Sequence, residues 1–119
     1  MGKGMGRLST HILDTTKGSP AAGVAIRLYS LGAHREQVNE TRTNADGRTD
    51  ETLLEGAAMT TGTYELEFDI GDYFRGQNVA VDDPAFLDVV VIRFSVKSDE
   101  NYHVPLLCTP WSYSTYRGS

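Results

Sequence analysis

Cysteine is almost missing from this chain. Cys108 is the only one, so no intramolecular disulfide framework holds the fold, and stability has to come from a packed core. Metal-ligand patterns are missing as well. No Cys-x-x-Cys, His-x-His or His-Glu-x-x-His occurs, and the spacing of His11, His103 and Cys108 does not support a zinc site, so neither metal nor cofactor is expected. Cys108 and His103 are separated by an odd offset, which puts them on opposite faces of an unbulged strand. No apolar run approaches the ~20 residues that a membrane span needs. There is no Gly-x-Ser-x-Gly elbow and no phosphate loop. Positive charge is in deficit: 11 Lys and Arg against 16 Asp and Glu leave a net charge of −5, which argues against nucleic acid and anionic membranes as partners. The opening Met1–Leu8 carries positive charge but no apolar stretch after it, unlike a secretory signal, and the ending is not a Ser-Lys-Leu address. A cytoplasmic location is the expectation, with a processed periplasmic form left open.

What remains is a chain of 119 residues, the size of one domain and long enough to bury roughly two thirds of its unfolded surface. Gly2, Gly4 and Gly6 suggest a loose arm over residues 1–6, with a single domain over 7–119. Short strand-like runs separated by turn chemistry fill that domain. Leu8–Leu13 is the first, closed by Asp14 and a Gly18-Ser19-Pro20 turn. Val24–Leu31 alternates, with Val24, Ile26 and Leu28 on one face. Gln37–Thr43 is polar and suits an edge, followed by an Asn44–Gly47 turn and a short run around Thr52–Leu54. Gly62–Ile70 sets Tyr64, Leu66, Phe68 and Ile70 against Glu65, Glu67 and Asp69, the pattern of a sheet wet on one side. Asp72–Gly76 can form one helical turn capped by its glycine. Pro84 breaks the next stretch, with Asp82 and Asp83 before it read as a solvated turn. Val89–Val96, a turn at Asp99–Asn101, Tyr102–Cys108 and Trp111–Tyr116 complete the series. Roughly eight short strands with almost no helix argue for an all-β sandwich, although a closed barrel uses similar patterns.

Three side chains stand out chemically. His11 shares a strand face with Ser9 and Leu13, His103 shares one with Pro105 and Leu107, and Arg48 directly follows Asp46-Gly47. Neither histidine position needs an imidazole for packing. A lone strand histidine is nevertheless more often a surface or hydrogen-bonded residue than a catalyst, and an arginine after Asp-Gly is usually solvated. His34 reads as solvent-facing, and Trp111, Tyr113 and Tyr116 read as packing or interface residues.

The chain ends Tyr116-Arg117-Gly118-Ser119, an aromatic ring, a guanidinium, a glycine and a hydroxyl at the end of a rigid segment. This ending resembles the signature of the 5-hydroxyisourate hydrolases, transthyretin-related enzymes of purine breakdown. Leu8–Asp14 with Gly18–Ala21 resembles the opening strand and turn of the transthyretin-like family, Thr43–Arg48 its central turn, and Tyr102–Leu107 its penultimate strand. The opening block is common to hormone carriers and hydrolases. His11, Arg48, the histidine of Tyr102-His103-Val104-Pro105 and the Tyr-Arg-Gly-Ser ending mark the hydrolases.

The resemblance implies a transthyretin-like (prealbumin-like) sandwich of two four-stranded sheets with one short helix. It implies opening of 5-hydroxyisourate by water at a ring amide, giving 2-oxo-4-hydroxy-4-carboxy-5-ureidoimidazoline in urate degradation. The site carried over comprises His11, Arg48 and His103 as catalytic groups and Tyr116, Arg117, Gly118 and Ser119 as substrate-binding ones, with no metal. Histidine titrates near neutrality and suits a base that activates water, and arginine offers fixed donors to an oxyanion. The base is either histidine, with His103 favoured. Family members are homotetramers, dimers of dimers, whose sites lie where two dimers meet. The alternative is a carrier that uses the same inter-dimer channel for an apolar small molecule; histidines and arginines in the lining suit a polar oxopurine instead.

Overall fold

A computed structural model of the chain describes residues 6–97 and 100–118. Alternating apolar residues drive two sheets together. The strands are β1 (Arg7–Asp14), β2 (Ser19–Pro20), β3 (Ala25–Leu31), β4 (Arg35–Arg42), β5 (Leu54–Glu55), β6 (Gly62–Asp69), β7 (Val89–Val96), β8 (Tyr102–Cys108) and β9 (Tyr113–Thr115), with helix α1 (Ile70–Arg75) between β6 and β7. The first sheet runs β2-β1-β8-β9, with β5 also pairing with β1; the second runs β4-β3-β6-β7. The inner faces meet in a core that includes Leu8, Ile12, Val104 and Leu106 from the first sheet and Ile26, Leu28, Leu66 and Phe68 from the second, all nearly or fully buried. The fold is the transthyretin-like sandwich, with the two-residue β5 as an addition to the expected four strands of the first sheet.

The pairing that organises the first sheet is parallel. β1 lies beside β8 with Ser9 opposite His103, His11 opposite Pro105 and Leu13 opposite Leu107. Parallel neighbours need a long crossover, and here everything between them in the chain, the whole second sheet included, forms it. Buried Thr10 fastens the pair by donating its hydroxyl to the Val104 carbonyl at 2.6 Å. Buried Asp14, at the end of β1, accepts from the Tyr73 hydroxyl at 2.8 Å and from the Thr16 amide at 2.9 Å. The free edge of β1 is covered in sequence by β5 at Arg7 and Leu8, by Arg48 opposite His11, and by β2 at Leu13 and Asp14.

Several expectations shift at the boundaries. Gly6, assigned to the loose arm, is buried, and its carbonyl accepts the Gly56 amide at 3.0 Å; residues 1–5 lie outside the described residues. Ser19 and Pro20, read as turn, pair with β1, and the turn falls just before them. Ile70 opens α1 instead of closing β6. Gly76 caps that helix in an ordinary right-handed conformation (φ −83°), and Asp69 at its other end makes no side-chain cap because both of its oxygens are taken by Arg27. Only Tyr113–Thr115 of the last run is strand. Trp111, Tyr113 and Tyr116 are exposed and add nothing to the core, Trp111 lying against the exposed Phe86. Asp82, Asp83 and His34 are exposed as read, and the turn at Asp99 falls outside the described residues.

The polar face of β6 is the larger correction. Glu65, Glu67 and Asp69 are not simply solvated. β3 places Arg27 opposite Glu67 and β7 places Arg93 opposite Glu65, and Arg35 reaches across to both glutamates. Arg27 binds Glu67 at 2.9 Å and Asp69 at 2.6 Å, Arg93 binds Glu65 at 2.9 Å, and Arg35 also sits 3.6 Å over the Tyr29 ring. Direct cross-strand opposition of unlike charges stabilises a sheet face. Alternation reveals that these residues share a face but not that the neighbouring strands supply counter-charges.

The hydrogen bond from Arg93 holds the Glu65 carboxyl below the usual carboxylate range, with Arg35 helping against burial. A carboxyl depressed in the folded state adds stability above its unfolded value of about 4.3 and loses it as pH falls through the lower folded value. Melting temperature followed against pH should therefore drop on the acid side of that value. Glu65→Gln should lower the neutral melting temperature and flatten the acid limb; an unchanged acid limb would remove Glu65 from this role.

Candidate active site

The outward face of the β1/β8 pair carries the residues singled out by sequence. Because laterally opposed residues in a sheet point the same way, the parallel register puts Ser9, His11 and Leu13 on the same side as His103, Pro105 and Leu107. Two isolated bridges extend the rows outward: Arg48 pairs with His11 from one flank, and Gly118 pairs with His103 from the other. Positions 11, 48, 103 and 118, scattered along the chain, thereby fall on adjacent strands and bridges of one sheet.

The turn before Arg48 is what delivers it. Asn44 accepts the amides of Asp46 and Arg48 on its side-chain oxygen at 2.9 and 3.2 Å, and its own amide donates to the Arg48 carbonyl at 2.7 Å. Gly47 adopts φ +75°, and its carbonyl accepts the Ile12 amide at 2.8 Å. A Cβ at Gly47 would lie 2.4 Å from the Ile12 carbonyl oxygen, so only glycine lets the turn dock this closely on β1.

His103 is held from two sides. Its Nδ1 lies 2.9 Å from the Ser9 hydroxyl, and its carbonyl accepts the Gly118 amide at 2.7 Å. A Cβ at Gly118 would meet the His103 ring at 2.6 Å, so the glycine backbone rests against the imidazole edge. Burial, then the charge of Arg48, then that of His11 hold the His103 imidazole below the ordinary histidine value. At neutral pH this ring is therefore a neutral, proton-accepting group.

An open cleft of about 360 Å³ adjoins this imidazole, lined by Arg7, Ser9, Arg48, Thr52, Asn101, Tyr102 and His103. Among the described residues no carboxylate lines the cleft, and neither Arg7 nor Arg48 has an ion-pair partner. The cleft thus offers two guanidinium forks and several neutral hydrogen-bonding groups around one basic nitrogen. That set can bind a planar, carbonyl-rich molecule, deprotonate a water and stabilise a developing oxyanion. His11 is not in the lining; it lies on the adjoining row and acts on His103 electrostatically.

The tail divides. Gly118 touches His103, but Tyr116 and Arg117 line a separate, largely apolar cleft of about 240 Å³ with Ile92, Phe94, Val104 and Thr115. The Arg117 guanidinium lies 4.0 Å over the Tyr102 ring, bonded to Glu100 at 2.6 Å and to the Asn101 carbonyl at 2.9 Å. Within one chain it is engaged away from His103. Ser119 lies outside the described residues. Cys108 points into the core, its thiol pushed up to about 12 by burial, with no access to the histidines. Sequence reasoning missed Arg7, Thr52, Asn101 and Tyr102, and noted Ser9 only as a neighbour in facing. Alternation could have found Arg7, which shares a face with Ser9 and His11; nothing local flags Thr52 or Asn101.

The model of the HIUase/Transthyretin family matches residues 8–118. A 5-hydroxyisourate hydrolase from Ralstonia nicotianae is 54% identical over 117 residues, covering 97% of this chain and 100% of that protein. The structure of Klebsiella pneumoniae 5-hydroxyisourate hydrolase is similar with a TM-score of 0.81 at 35% identity, over 97% of this chain and 100% of that one. Sea bream transthyretin in complex with thyroxine is similar with a TM-score of 0.84 at 28% identity, over 94% of each chain.

Because Arg48 opposes protonation of His103, Arg48→Gln should raise the midpoint at which the His103 ring titrates. Ring-proton NMR on both proteins reads this directly. A lower or unmoved midpoint in the variant would mean that the guanidinium does not act on the imidazole.

Proposed function

Because this chain belongs to the HIUase/Transthyretin family, we propose that it hydrolyses 5-hydroxyisourate to 2-oxo-4-hydroxy-4-carboxy-5-ureidoimidazoline with His103 as the base and Arg48 as the oxyanion partner. The observation that carries this reading is the His103 imidazole, held by Ser9 and the Gly118 backbone, in one cleft with Arg48, where among the described residues no carboxylate lines the cleft and Arg48 has no ion pair. His103 Nε2 takes a proton from water as the water oxygen adds to the ring carbonyl. Arg48 donates to the oxygen that becomes negative. The ring C–N bond then breaks, the imidazolium returns its proton to the departing nitrogen, and the water oxygen stays in the new carboxylate. His11 tunes His103 from the next row. No cofactor is invoked. A carrier of apolar ligands is a poorer match, since arginines, a histidine, an asparagine and a threonine line the cleft.

The chain works as a homotetramer, a dimer of dimers, with the outward β1/β8 face turned toward another copy. What supports this is that a cleft open to solvent in one chain needs a second wall to exclude bulk water, and that Tyr116, on the neighbouring cleft, is exposed. In that assembly Tyr116, Arg117 and Ser119 complete the substrate site. The location proposed is cytoplasmic, in keeping with one buried, unpaired thiol; no helix among the described residues is long and apolar enough to cross a membrane.

The ultraviolet decay of 5-hydroxyisourate, generated from urate by urate oxidase, should speed up on adding the protein and stay fast in excess chelator. His103→Asn should slow it by roughly 10²–10⁴ if the ring is the base. Full activity in that variant would move the base to His11, and loss in chelator with recovery on zinc would overturn the metal-free route. Arg48→Ala should raise the barrier by about 3 kcal/mol through kcat. A change confined to KM would make Arg48 a binding residue only.

A further inference from the structure

An imidazole that activates water through Nε2 must carry its proton on Nδ1, and something has to keep it there. In the His103 ring, Nδ1 has one partner, the Ser9 hydroxyl at 2.9 Å, while Nε2 has no hydrogen-bond partner among the described residues. That distance is shared by two arrangements. In one, Nδ1–H donates to Ser9 Oγ and Nε2 is bare. In the other, the hydroxyl donates to Nδ1 and Nε2 carries the proton, leaving no base at the cleft.

We propose that Ser9 is a positioning residue that accepts from His103 Nδ1–H and so holds the ring in the tautomer whose basic nitrogen, Nε2, faces the cleft. The proposal rests on the reading of His103 as the base. Three observations carry it. Ser9 is not brought to the ring by a flexible chain; it is the direct register partner of His103 across β1 and β8, fixed by the backbone ladder. The Gly118 backbone closes one side of the ring, where a Cβ would lie 2.6 Å from His103 Cδ2. And Ser9 itself lines the cleft, so its own hydroxyl proton can be given to solvent or to a ligand while its oxygen accepts. The arrangement also survives the proton transfer. In the imidazolium both ring nitrogens donate, and Ser9 Oγ goes on accepting from Nδ1 without reorienting. A hydroxyl that donated to Nδ1 would have to turn round at every turnover.

The charged and titratable groups around this ring are Arg48 and His11, which act on it electrostatically, with Arg7 and Tyr102 in the same cleft. Among the described residues no carboxylate lines the cleft to do what Ser9 does. Ser9 is thus the neutral counterpart of the acceptor that orients a catalytic histidine elsewhere.

Nitrogen-15 NMR of the imidazole in the free protein at neutral pH tests this without substrate. The wild type should show a protonated Nδ1 and an unprotonated Nε2, and Ser9→Ala should shift the ring toward the other tautomer. In the decay assay Ser9→Ala should lower kcat roughly 10–10²-fold, as loss of a histidine-orienting partner does, with KM little changed. The acid limb of kcat/KM should move to lower pH, because the imidazolium loses an acceptor. Ser9→Thr, which keeps the hydroxyl, should recover most of the rate. A wild-type ring protonated on Nε2, or a folded Ser9→Ala protein with unchanged tautomer and kcat, would overturn the proposal. If wild type shows the Nδ1–H tautomer but does not consume 5-hydroxyisourate, the functional reading falls while the role of Ser9 in setting the ring stands. If Ser9→Ala does not fold, the wild-type spectrum and Ser9→Thr still decide.

Discussion

The parallel ladder between β1 and β8 is the constraint on which the site depends. It joins segments 94 residues apart, and it fixes which histidine lies beside which neighbour. Side chains in a sheet alternate with a period of two, so a slip of one residue would exchange the two faces of the slipped strand. Applied to β8, such a slip would turn His103 into the core and Val104 and Leu106 out to solvent. Burial of Leu8, Ile12, Val104 and Leu106 therefore does more than hold the sheets together. At about 25 cal/mol per Å² of apolar surface it penalises every wrong register heavily, and the register in turn places the imidazole against Ser9.

The two sheets treat charge in opposite ways on their outer faces. On the second sheet, Arg27, Arg35 and Arg93 meet Glu65, Glu67 and Asp69 in a closed lattice, each carboxylate bound by at least one guanidinium. On the first, Arg7 and Arg48 line the cleft without a counter-ion among the described residues. Uncompensated cations beside a neutral histidine favour a ligand that carries or develops negative charge, and they oppose protonation of the base. The chain is acidic overall, yet its cleft is cationic; the net charge of −5 gave no hint of this because a total charge carries no information on where the charges lie.

Alternation and turn chemistry made most of the fold readable. The long strands β1, β3, β6, β7 and β8 were visible because one face of each is apolar, and Gln37–Thr43 read as an edge because neither face is. The short β2 was hidden, since two residues have no periodicity, and β5 was legible only as a short run around Thr52–Leu54, one residue off; both are strands by pairing with β1. His11, Arg48 and His103 were found as unusual residue types in ordered positions, and resemblance gave them roles. What sequence could not supply was lateral order. Ser9 mattered only once His103 was known to lie beside it, and Gly118 only once its backbone was seen against the ring. Arg117 shows the reverse: its fork suits a carbonyl-rich ligand, but alternation puts it off the face that Gly118 shares with His103, where Glu100 and Tyr102 hold it.

We propose that ionisation of the His103 imidazole, held below the ordinary histidine value, controls turnover. Two titrations on the same wild-type protein test it: the acid limb of kcat/KM for 5-hydroxyisourate, which reports the base of the free enzyme, and the NMR titration of the His103 ring. One midpoint for both is expected, below the ordinary histidine value. Separate midpoints, with the rate following His11 or a group outside the cleft, would contradict it.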